Sequence, residues 1–331
     1  MKQIGIIGSG SWGTALSVLL AGNADKVLIW GREPGVIASI NSLHQNPGYL
    51  PNVVLPDHVR ATTTLADLAA CDAVFVVVPS KAVRPVAQQL ATLALNPDTP
   101  LVSCIKGIEN GTGLRMSQLL SDAMPAQPVA VLSGPNHAEE IARRQPAAAV
   151  IGCTNQLIAR RLQDLVTLPW FRAYTSDDLV GIEWGAAVKN VFAIASGLAS
   201  GLGLGDNARA ALVTRGLAEM IRLGTAMGGT PATFQGLSGV GDLVVTCYSE
   251  HSRNNRVGQA LGRGTPLPTI LASMTMVAEG VPNTESIYHA ARHTGVRTPI
   301  IDTVYAILYQ GLSPQEGLRA LFARDPRPEA E

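Results

Sequence analysis

Two kinds of hydrophobic pattern divide the chain. In the first half, short apolar runs rich in β-branched residues alternate with segments of helical period, which is typical of βαβ units around a parallel sheet. From Ser176 onward the period is helical and few strand candidates remain. The pattern predicts an α/β protein, with a doubly wound, mostly parallel sheet over residues 1–178 and an all-helical domain over 179–331. The predicted strands cover residues 4–8, 26–31, 72–79, 100–105, 129–134, 147–152 and 171–176.

Local signals predict several helices in the second half. Amphipathic segments cover residues 208–228, 283–295 and 300–311, and a glycine closes each of the last two. Ser252 is a good N-cap for a further helix that ends near Gly262.

A single lysine interrupts the most apolar segment of this half, residues 183–201. The ordinary explanation is that Lys189 lies at the edge of a core helix and extends its ammonium to water. However, the chain has 20 arginines and only 5 lysines, so it uses arginine wherever a generic cation is sufficient. Burial can lower the pKa of a lysine until it exchanges protons, whereas arginine stays charged. Lys189 is therefore a candidate for proton transfer.

The composition argues against several classes of protein. The formal net charge is +0 and no basic stripe is present, which argues against a nucleic-acid or anionic-membrane partner. No apolar run approaches the length of a transmembrane helix, and glycine appears too soon after Met1 for a signal peptide. Cys71, Cys104, Cys153 and Cys247 are scattered along the chain, which predicts reduced thiols in a cytoplasmic protein.

Gly8, Gly10 and Gly13 form a G-x-G-x-x-G motif between the first predicted strand and a helix. In this context the first glycine permits a tight turn, the second lets the backbone approach a pyrophosphate, and the third lets the helix pack on the strand. The helix N-terminus also offers free N–H groups to an anion. The motif predicts a Rossmann domain that binds a dinucleotide. The alternative is a glycine-rich turn without a ligand.

Arg32 follows the second predicted strand, near the place where an acidic residue would bind the ribose 2′-hydroxyl of NAD. Glu33 comes one residue later. An arginine here can pair with a 2′-phosphate, so the sequence favours NADP(H) and leaves NAD(H) open. The alternative is a solvated surface arginine.

Polar residues follow two other predicted strands, at the edge of the sheet where ligands bind. Lys106 follows the fourth strand, and Gly134 and Asn136 follow the fifth. Asn136 with Glu139 resembles an N-terminal capping box, so Asn136 also has a purely structural interpretation.

A further motif lies in the helical half, where Asp242 is preceded by glycine and followed by Ser252-Arg253-Asn254. A cap hydroxyl, an arginine and the free N–H groups of a helix N-terminus together make a phosphate site. The alternative is an ordinary capped helix. No metal site is predicted, because His289 and His293 lack the glutamate of the H-E-x-x-H pattern.

Together these motifs resemble the bacterial NAD(P)-dependent glycerol-3-phosphate dehydrogenases over nearly the whole chain. The resemblance implies a Rossmann domain followed by a helical domain, in a cytoplasmic homodimer. It also implies interconversion of dihydroxyacetone phosphate and sn-glycerol 3-phosphate for phospholipid synthesis. The stretches that carry it are "GSGSWGTAL", "VVVPS", "KGIE", "SGPN", "AAVKN", "NARAALVTRGLAEM", "GVGDLVVTC", "SRN" and "AEG" with "PNT".

The resemblance also implies roles for individual residues. Lys189 would be the proton donor and acceptor, and Lys106 and Asp242 would assist it. The cofactor would contact Gly8, Gly10, Ser11, Trp12, Gly13, Arg32, Tyr49, Lys106, Ala138, Arg253, Val277 and Glu279. The substrate would contact Lys106, Gly134, Asn136, Lys189, Asn190, Asp242, Ser252, Arg253 and Asn254.

This chain departs from the family pattern at two positions. The family often has a hydroxyl residue where Asn136 stands and an aromatic residue where His137 stands.

Two other functions share part of the pattern. A dehydrogenase of the same architecture acting on a hydroxyacyl thioester or a sugar acid would have no reason for the Ser252-Arg253-Asn254 motif. A non-catalytic NADP(H)-sensing protein would not need Lys189 in an interior helix.

Overall fold

The first half of the chain forms the predicted sheet. The computed structural model describes residues 1–274, 276–323 and 328, so the end of the predicted helical domain lies outside the described residues. Within that part, the strands are β1 (Gln3–Ile7), β2 (Lys26–Trp30), β3 (Gln45–Asn46), β4 (Leu50–Val54), β5 (Val59–Thr62), β6 (Ala73–Val76), β7 (Leu101–Ser103), β8 (Val129–Ser133), β9 (Ala147–Gly152) and β10 (Phe171–Ser176).

The main sheet has the order β10-β9-β8-β7-β6-β1-β2-β5. All neighbours are parallel except β8 and β9, which are antiparallel, so β9 and β10 run against the other strands. This confirms a mostly parallel sheet. The sequence pattern did not predict β5, because this edge strand is only partly buried and lacks an apolar run. It also missed the β3–β4 hairpin, which lies outside the main sheet.

Helices cover both faces of the sheet because successive strand residues point to opposite sides. In β6, Phe75 packs in one hydrophobic cluster, while Val74 and Val76 pack in the other. This two-sided burial explains the continuous apolar runs of the central strands. The helices of this half are α1 (Ser11–Leu20), α2 (Pro34–Leu43), α3 (Val83–Leu90), α4 (Met116–Ala123), α5 (Ala138–Ala142) and α6 (Gln156–Val166).

The second half is helical, as predicted, and is built around α7 (Leu179–Gly201), which is buried along most of its length. By length and composition α7 could cross a membrane, but 89% of its apolar window is buried inside the protein, as in the core helix of a soluble domain. The remaining helices are α8 (Asp206–Ala226), α9 (Pro231–Phe234), α10 (Asp242–Tyr248), α11 (Arg253–Gly262), α12 (Leu267–Ser273), α13 (Gly280–Thr294), α14 (Pro299–Tyr309) and α15 (Pro314–Phe322).

Glycines let α7 and α11 approach each other closely. A Cβ atom on Gly197 would lie 2.1 Å from the carbonyl oxygen of Asn255, and one on Gly258 would lie 2.1 Å from that of Ile194. No larger residue fits at either place without moving backbone. The tight contact fixes the N-terminus of α11 beside the middle of α7, where Lys189 lies.

Candidate active site

Lys189 lies in a buried cluster of charges at the junction of the sheet and the helical half. Its Nζ atom is 2.5 Å from Oδ1 of Asp242 and 2.6 Å from Oγ1 of Thr246. The other carboxylate oxygen of Asp242 accepts a hydrogen bond from Nζ of Lys106 at 2.7 Å. Lys189 is only 4% exposed and Asp242 1%. The side chain therefore does not reach water, which contradicts the ordinary explanation for a lysine in an apolar helix.

The electrostatics of this cluster favour loss of a proton from Lys189. Burial lowers the pKa of Lys189 most strongly, Asp242 opposes it and Lys106 adds to it, and together they bring the pKa to about 7. Burial alone would raise the pKa of Asp242, but the two lysines outweigh it and the net shift is downward. Two ammonium groups share one carboxylate in a region with little water, so one lysine can become neutral while the other stays paired.

Two helices bring this cluster together. Asp242 is the first residue of α10 and Thr246 lies one turn later on the same face, where its hydroxyl also donates to the Asp242 carbonyl oxygen. A π-helical turn over Leu237–Gly241 precedes α10 and contains a non-helical glycine, Gly239. This irregular turn leads the chain into α10 against α7.

A chain of amide side chains connects Lys106 to the helical half. The carbonyl oxygen of Lys106 accepts hydrogen bonds from the side chains of Asn190, at 3.1 Å, and Asn283, at 2.9 Å. Asn254 then donates to Asn190 and accepts from the Gly280 N–H, both at 2.9 Å. Asn190 and Asn254, both predicted to bind substrate, are therefore already engaged in positioning Lys106.

The loop after β8 is shaped differently from the capping box that the sequence suggested. The helix α5 begins at Ala138, and its N-cap is His137, so Asn136 is not the cap. Gly134 has φ +144°, a conformation that other residues rarely adopt, and its carbonyl oxygen accepts a hydrogen bond from Lys106 at 2.9 Å. The helix therefore starts one residue later than the capping box implied, and Asn136 lies outside it.

Asn136 and His137 carry polar atoms that are available to a ligand. Both amide atoms of Asn136 and Nε2 of His137 are buried and have no hydrogen-bond partner among the described residues. Burial, together with the nearby Lys189 and Lys106, lowers the pKa of His137 to about 4, so its ring is neutral at physiological pH. Buried polar atoms without partners are costly unless a ligand or water satisfies them.

The Ser252-Arg253-Asn254 motif begins α11 as predicted. Ser252 is the N-cap, and its hydroxyl accepts from the Asn255 N–H at 3.2 Å. Arg253 donates to the Val277 carbonyl oxygen at 2.8 Å. The capping and the contact to Val277 account structurally for part of this motif. The N-terminus of α11 lies close to the lysine cluster, because Asn254 donates to Asn190, the residue that follows Lys189.

The segment around Val277 also contacts the sheet half. Glu279 accepts hydrogen bonds from Ser80, from the N–H at 3.2 Å and from the hydroxyl at 2.6 Å. Met276 lies 2.9 Å from the hydroxyl oxygen of Ser11. The structure thus places Val277 and Glu279 over the end of the sheet where the glycine motif lies.

The glycine motif has the shape that a dinucleotide requires. Gly8 has φ +122°, and a Cβ atom there would lie 2.6 Å from the Val77 carbonyl oxygen. A Cβ on Gly13 would lie 1.9 Å from the Gly8 carbonyl oxygen. In contrast, no atom of the described residues lies within 4 Å of a Cβ on Gly10, which caps α1. The backbone is therefore closed where helix and strand pack and open where a pyrophosphate would approach, so these residues fit the cofactor.

The predicted cofactor residues differ in their surroundings. Ser11 donates to the Tyr49 carbonyl oxygen at 2.7 Å, so these two lie together beside the glycine motif. Arg32 is exposed at the end of β2. Trp12 packs partly buried against the core beneath α1, and Ala138, the first residue of α5, packs against the same core.

Besides Asp242 on α10, a second buried acid lies on α7, and the sequence analysis missed it. Glu183 is 2% exposed and accepts hydrogen bonds from Arg115 at 2.7 Å and from the N–H and hydroxyl of Ser117 at 2.8 and 2.5 Å. It ties the start of α4 to the helix that carries Lys189. The signal was present, because Glu183 is the charged first residue of the apolar segment that contains Lys189. The contributions of Thr246 and Asn283 had no comparable signal.

Known proteins resemble this chain over both halves. The family model described as NAD-dependent glycerol-3-phosphate dehydrogenase N-terminus matches residues 3–159, and the corresponding C-terminus model matches residues 178–319. A glycerol-3-phosphate dehydrogenase (NAD(P)+) from Streptomyces griseus is 49% identical, with 98% of this chain and 97% of that protein covered. One from Thermobifida fusca is 47% identical, with 99% of each covered. The solved glycerol-3-phosphate dehydrogenase of Coxiella burnetii has a TM-score of 0.94 at 36% identity, covering 98% of this chain and 99% of that one.

Proposed function

Because the chain belongs to the NAD-dependent glycerol-3-phosphate dehydrogenase family, we propose that its cluster of Lys189, Asp242 and Lys106 is the active site. At this site the protein interconverts dihydroxyacetone phosphate and sn-glycerol 3-phosphate as an NAD(P)-dependent oxidoreductase. The observation that carries this assignment is a buried lysine bound to a carboxylate that a second lysine shares, where burial lowers the pKa of Lys189 to about 7.

The residues of this cluster have different roles in the reaction. When bound, the reduced nicotinamide supplies the hydride that attacks the ketone carbon. Negative charge then develops on the ketone oxygen, and the Lys189 ammonium stabilises that charge and donates the proton. In the reverse direction, neutral Lys189 accepts the proton from the hydroxyl. Asp242 orients Lys189, and Lys106 provides the second positive charge, which helps Lys189 release its proton.

The phosphate of the substrate is held at the N-terminus of α11. Free N–H groups and the guanidinium of Arg253 provide donors there, and Asn254 keeps this end of the helix against Lys106 through Asn190. The unpartnered amide of Asn136 supplies a further donor and acceptor for the substrate. This phosphate site favours the assignment over a dehydrogenase for hydroxyacyl thioesters or sugar acids.

The cofactor binds along the glycine motif, with its pyrophosphate at Gly10 and at the first N–H groups of α1. Trp12 and Tyr49 flank this place, and Val277 and Glu279 cover it from the helical half. The exposed guanidinium of Arg32 at the end of β2 supports use of NADP(H) through the 2′-phosphate. NAD(H) is accepted as well, in line with the names of the relatives.

The broader setting follows from the family resemblance. The cofactor domain comprises residues 1–178 and the substrate domain residues 179–331, supported by the end of β10 at Ser176 and the start of α7 at Leu179. The enzyme acts in the cytoplasm as a homodimer and supplies sn-glycerol 3-phosphate to phospholipid synthesis. Four buried free cysteines support a reducing compartment.

A spectrophotometric assay tests the proposal directly. Purified enzyme is mixed with dihydroxyacetone phosphate and NADPH, and the assay is repeated with NADH and with unphosphorylated dihydroxyacetone. We expect oxidation of either cofactor with the phosphorylated substrate and little with the unphosphorylated one. Equal rates with and without the phosphate, or no reaction with either cofactor, would contradict the proposal.

A further inference from the structure

Tyr49 and Glu33 form a hydrogen-bonded pair beside the glycine motif. Tyr49 lies in the turn between β3 and β4, and its hydroxyl donates to Oε1 of Glu33 at 2.5 Å. Glu33 is the N-cap residue of α2, but its side chain makes no capping hydrogen bond there. The carboxylate therefore turns towards Tyr49, at the C-terminal end of β2, next to β1 in the sheet.

The hairpin that carries Tyr49 is anchored to the glycine motif. Asn46 is 1% exposed and donates to the Ser9 carbonyl oxygen and the Thr14 hydroxyl, both at 2.8 Å. Ser11 donates to the carbonyl oxygen of Tyr49 at 2.7 Å. These three bonds hold the tyrosine at a defined position relative to the backbone that receives the pyrophosphate. The position of the Glu33 carboxylate is thereby defined as well.

This place in the fold receives the ribose of the adenosine end, and an acid there distinguishes the two cofactors. A carboxylate accepts a hydrogen bond from a ribose 2′-hydroxyl and repels a 2′-phosphate. We propose that Glu33, held by Tyr49, accepts the 2′-hydroxyl of NAD(H) and opposes the 2′-phosphate of NADP(H). Arg32 and Glu33 then act in opposite directions on cofactor choice. The inference rests on the proposed function, because it assumes that the glycine motif binds NAD(P)(H).

The chemistry of the pair allows both contacts at once. A carboxylate has two oxygens with about four acceptor positions, so Glu33 can accept from Tyr49 and from a ribose hydroxyl together. The hydrogen bond to Glu33 raises the pKa of Tyr49, and burial raises it further. Tyr49 therefore keeps its proton and remains the donor of the pair.

Nucleotide binding by Glu33→Gln and Tyr49→Phe tests the proposal. Dissociation constants for NADH and NADPH are measured by fluorescence titration, and those for ADP-ribose and 2′-phospho-ADP-ribose by calorimetry, because these fragments isolate the adenosine end. For Glu33→Gln we expect the NADH-to-NADPH ratio of dissociation constants to rise by about tenfold or more, the effect of one charge-assisted hydrogen bond. The fragments should show the same rise, and Tyr49→Phe a smaller one in the same direction.

Glu316→Gln is the matched control, because Glu316 also accepts a hydroxyl hydrogen bond at 2.6 Å, from Ser313, on α15, which packs mainly against α14 in the helical half. It should leave all four constants unchanged. A ratio for Glu33→Gln within about threefold of the wild type, less than one hydrogen bond is worth, would overturn the proposal, as would a shift in Tyr49→Phe alone. If the wild type binds these nucleotides but does not reduce dihydroxyacetone phosphate, the proposed function fails and the result on Glu33 stands.

Discussion

Proton transfer by Lys189 predicts a specific loss of catalysis in two variants. Lys189→Met removes the ammonium and keeps much of the side-chain length. Lys189→Arg keeps the charge, but the guanidinium stays protonated and cannot release a proton. Both should lower kcat by roughly 10²-fold or more, the range of general acid–base catalysis. NADPH affinity, measured by fluorescence titration, should change little. Lys26→Met is the control, because Lys26 is exposed at the opposite end of β2 from the cofactor site.

The pH dependence identifies the group that transfers the proton. With a pKa of about 7 for Lys189, the protonated fraction falls about tenfold for each pH unit above that value. The kcat/KM for ketone reduction should therefore decline above about pH 7, and that for alcohol oxidation should decline below it, because the reverse reaction needs neutral Lys189. Steady-state rates between about pH 5.5 and 9.5 in both directions check this. A near-normal kcat in Lys189→Arg, or the same pH break in that variant, would refute the reasoning.

The same pKa shift predicts how stability depends on pH. The pKa of Lys189 is lowered from 10.5 to about 7 in the folded protein. Between about pH 7 and pH 10.5 the unfolded chain therefore holds a proton that the folded chain does not. The free energy of unfolding of the wild type should therefore rise relative to Lys189→Met as pH increases from about 7 to about 10. The limiting slope is about 1.4 kcal/mol per pH unit. Urea unfolding at several pH values measures it, and parallel curves for the two proteins would contradict a lowered pKa.

Three further substitutions test other parts of the site. Arg32→Ala should raise the KM for NADPH far more than that for NADH. The loss in NADPH binding should correspond to about 1–3 kcal/mol; equal effects on both cofactors would show that Arg32 does not contact the 2′-phosphate. Arg253→Ala should severely lower kcat/KM for dihydroxyacetone phosphate but scarcely change weak activity on unphosphorylated dihydroxyacetone, and proportional losses would assign Arg253 to structure or cofactor. Glu183→Ala should destabilise the protein by about 3 kcal/mol in urea unfolding, because it leaves the partly buried Arg115 charge and the Ser117 N–H and hydroxyl without their acceptor; a loss under about 1 kcal/mol would mean that water replaces the carboxylate.

Much of the fold was predictable because its signals are local. The apolar runs of β1, β2, β6, β7 and β8 reflect burial on both faces of a parallel sheet. The turn after β1 requires glycines that can be recognised from their spacing. The Ser252 hydroxyl caps α11 through a hydrogen bond to a residue only three positions away, so this signal does not depend on tertiary contacts. The strand β5 escaped prediction because one of its faces is exposed, and the reversed direction of β9 and β10 has no signature in a single strand.

The sequence by itself predicted which residues carry the chemistry of the site, but only the tertiary structure decided how these residues combine. Lys189 and Asp242 are 53 residues apart, and Lys106 and Asp242 are 136 apart. Whether two such groups share a carboxylate depends on how two halves of the chain pack, which no local pattern encodes. The suggested capping role of Asn136 was wrong, since α5 begins at Ala138 with His137 as its N-cap and the amide atoms of Asn136 make no capping bond. Period, spacing and residue type are properties of a few neighbouring residues, whereas pKa values and unpartnered atoms arise only when distant segments exclude water from one another.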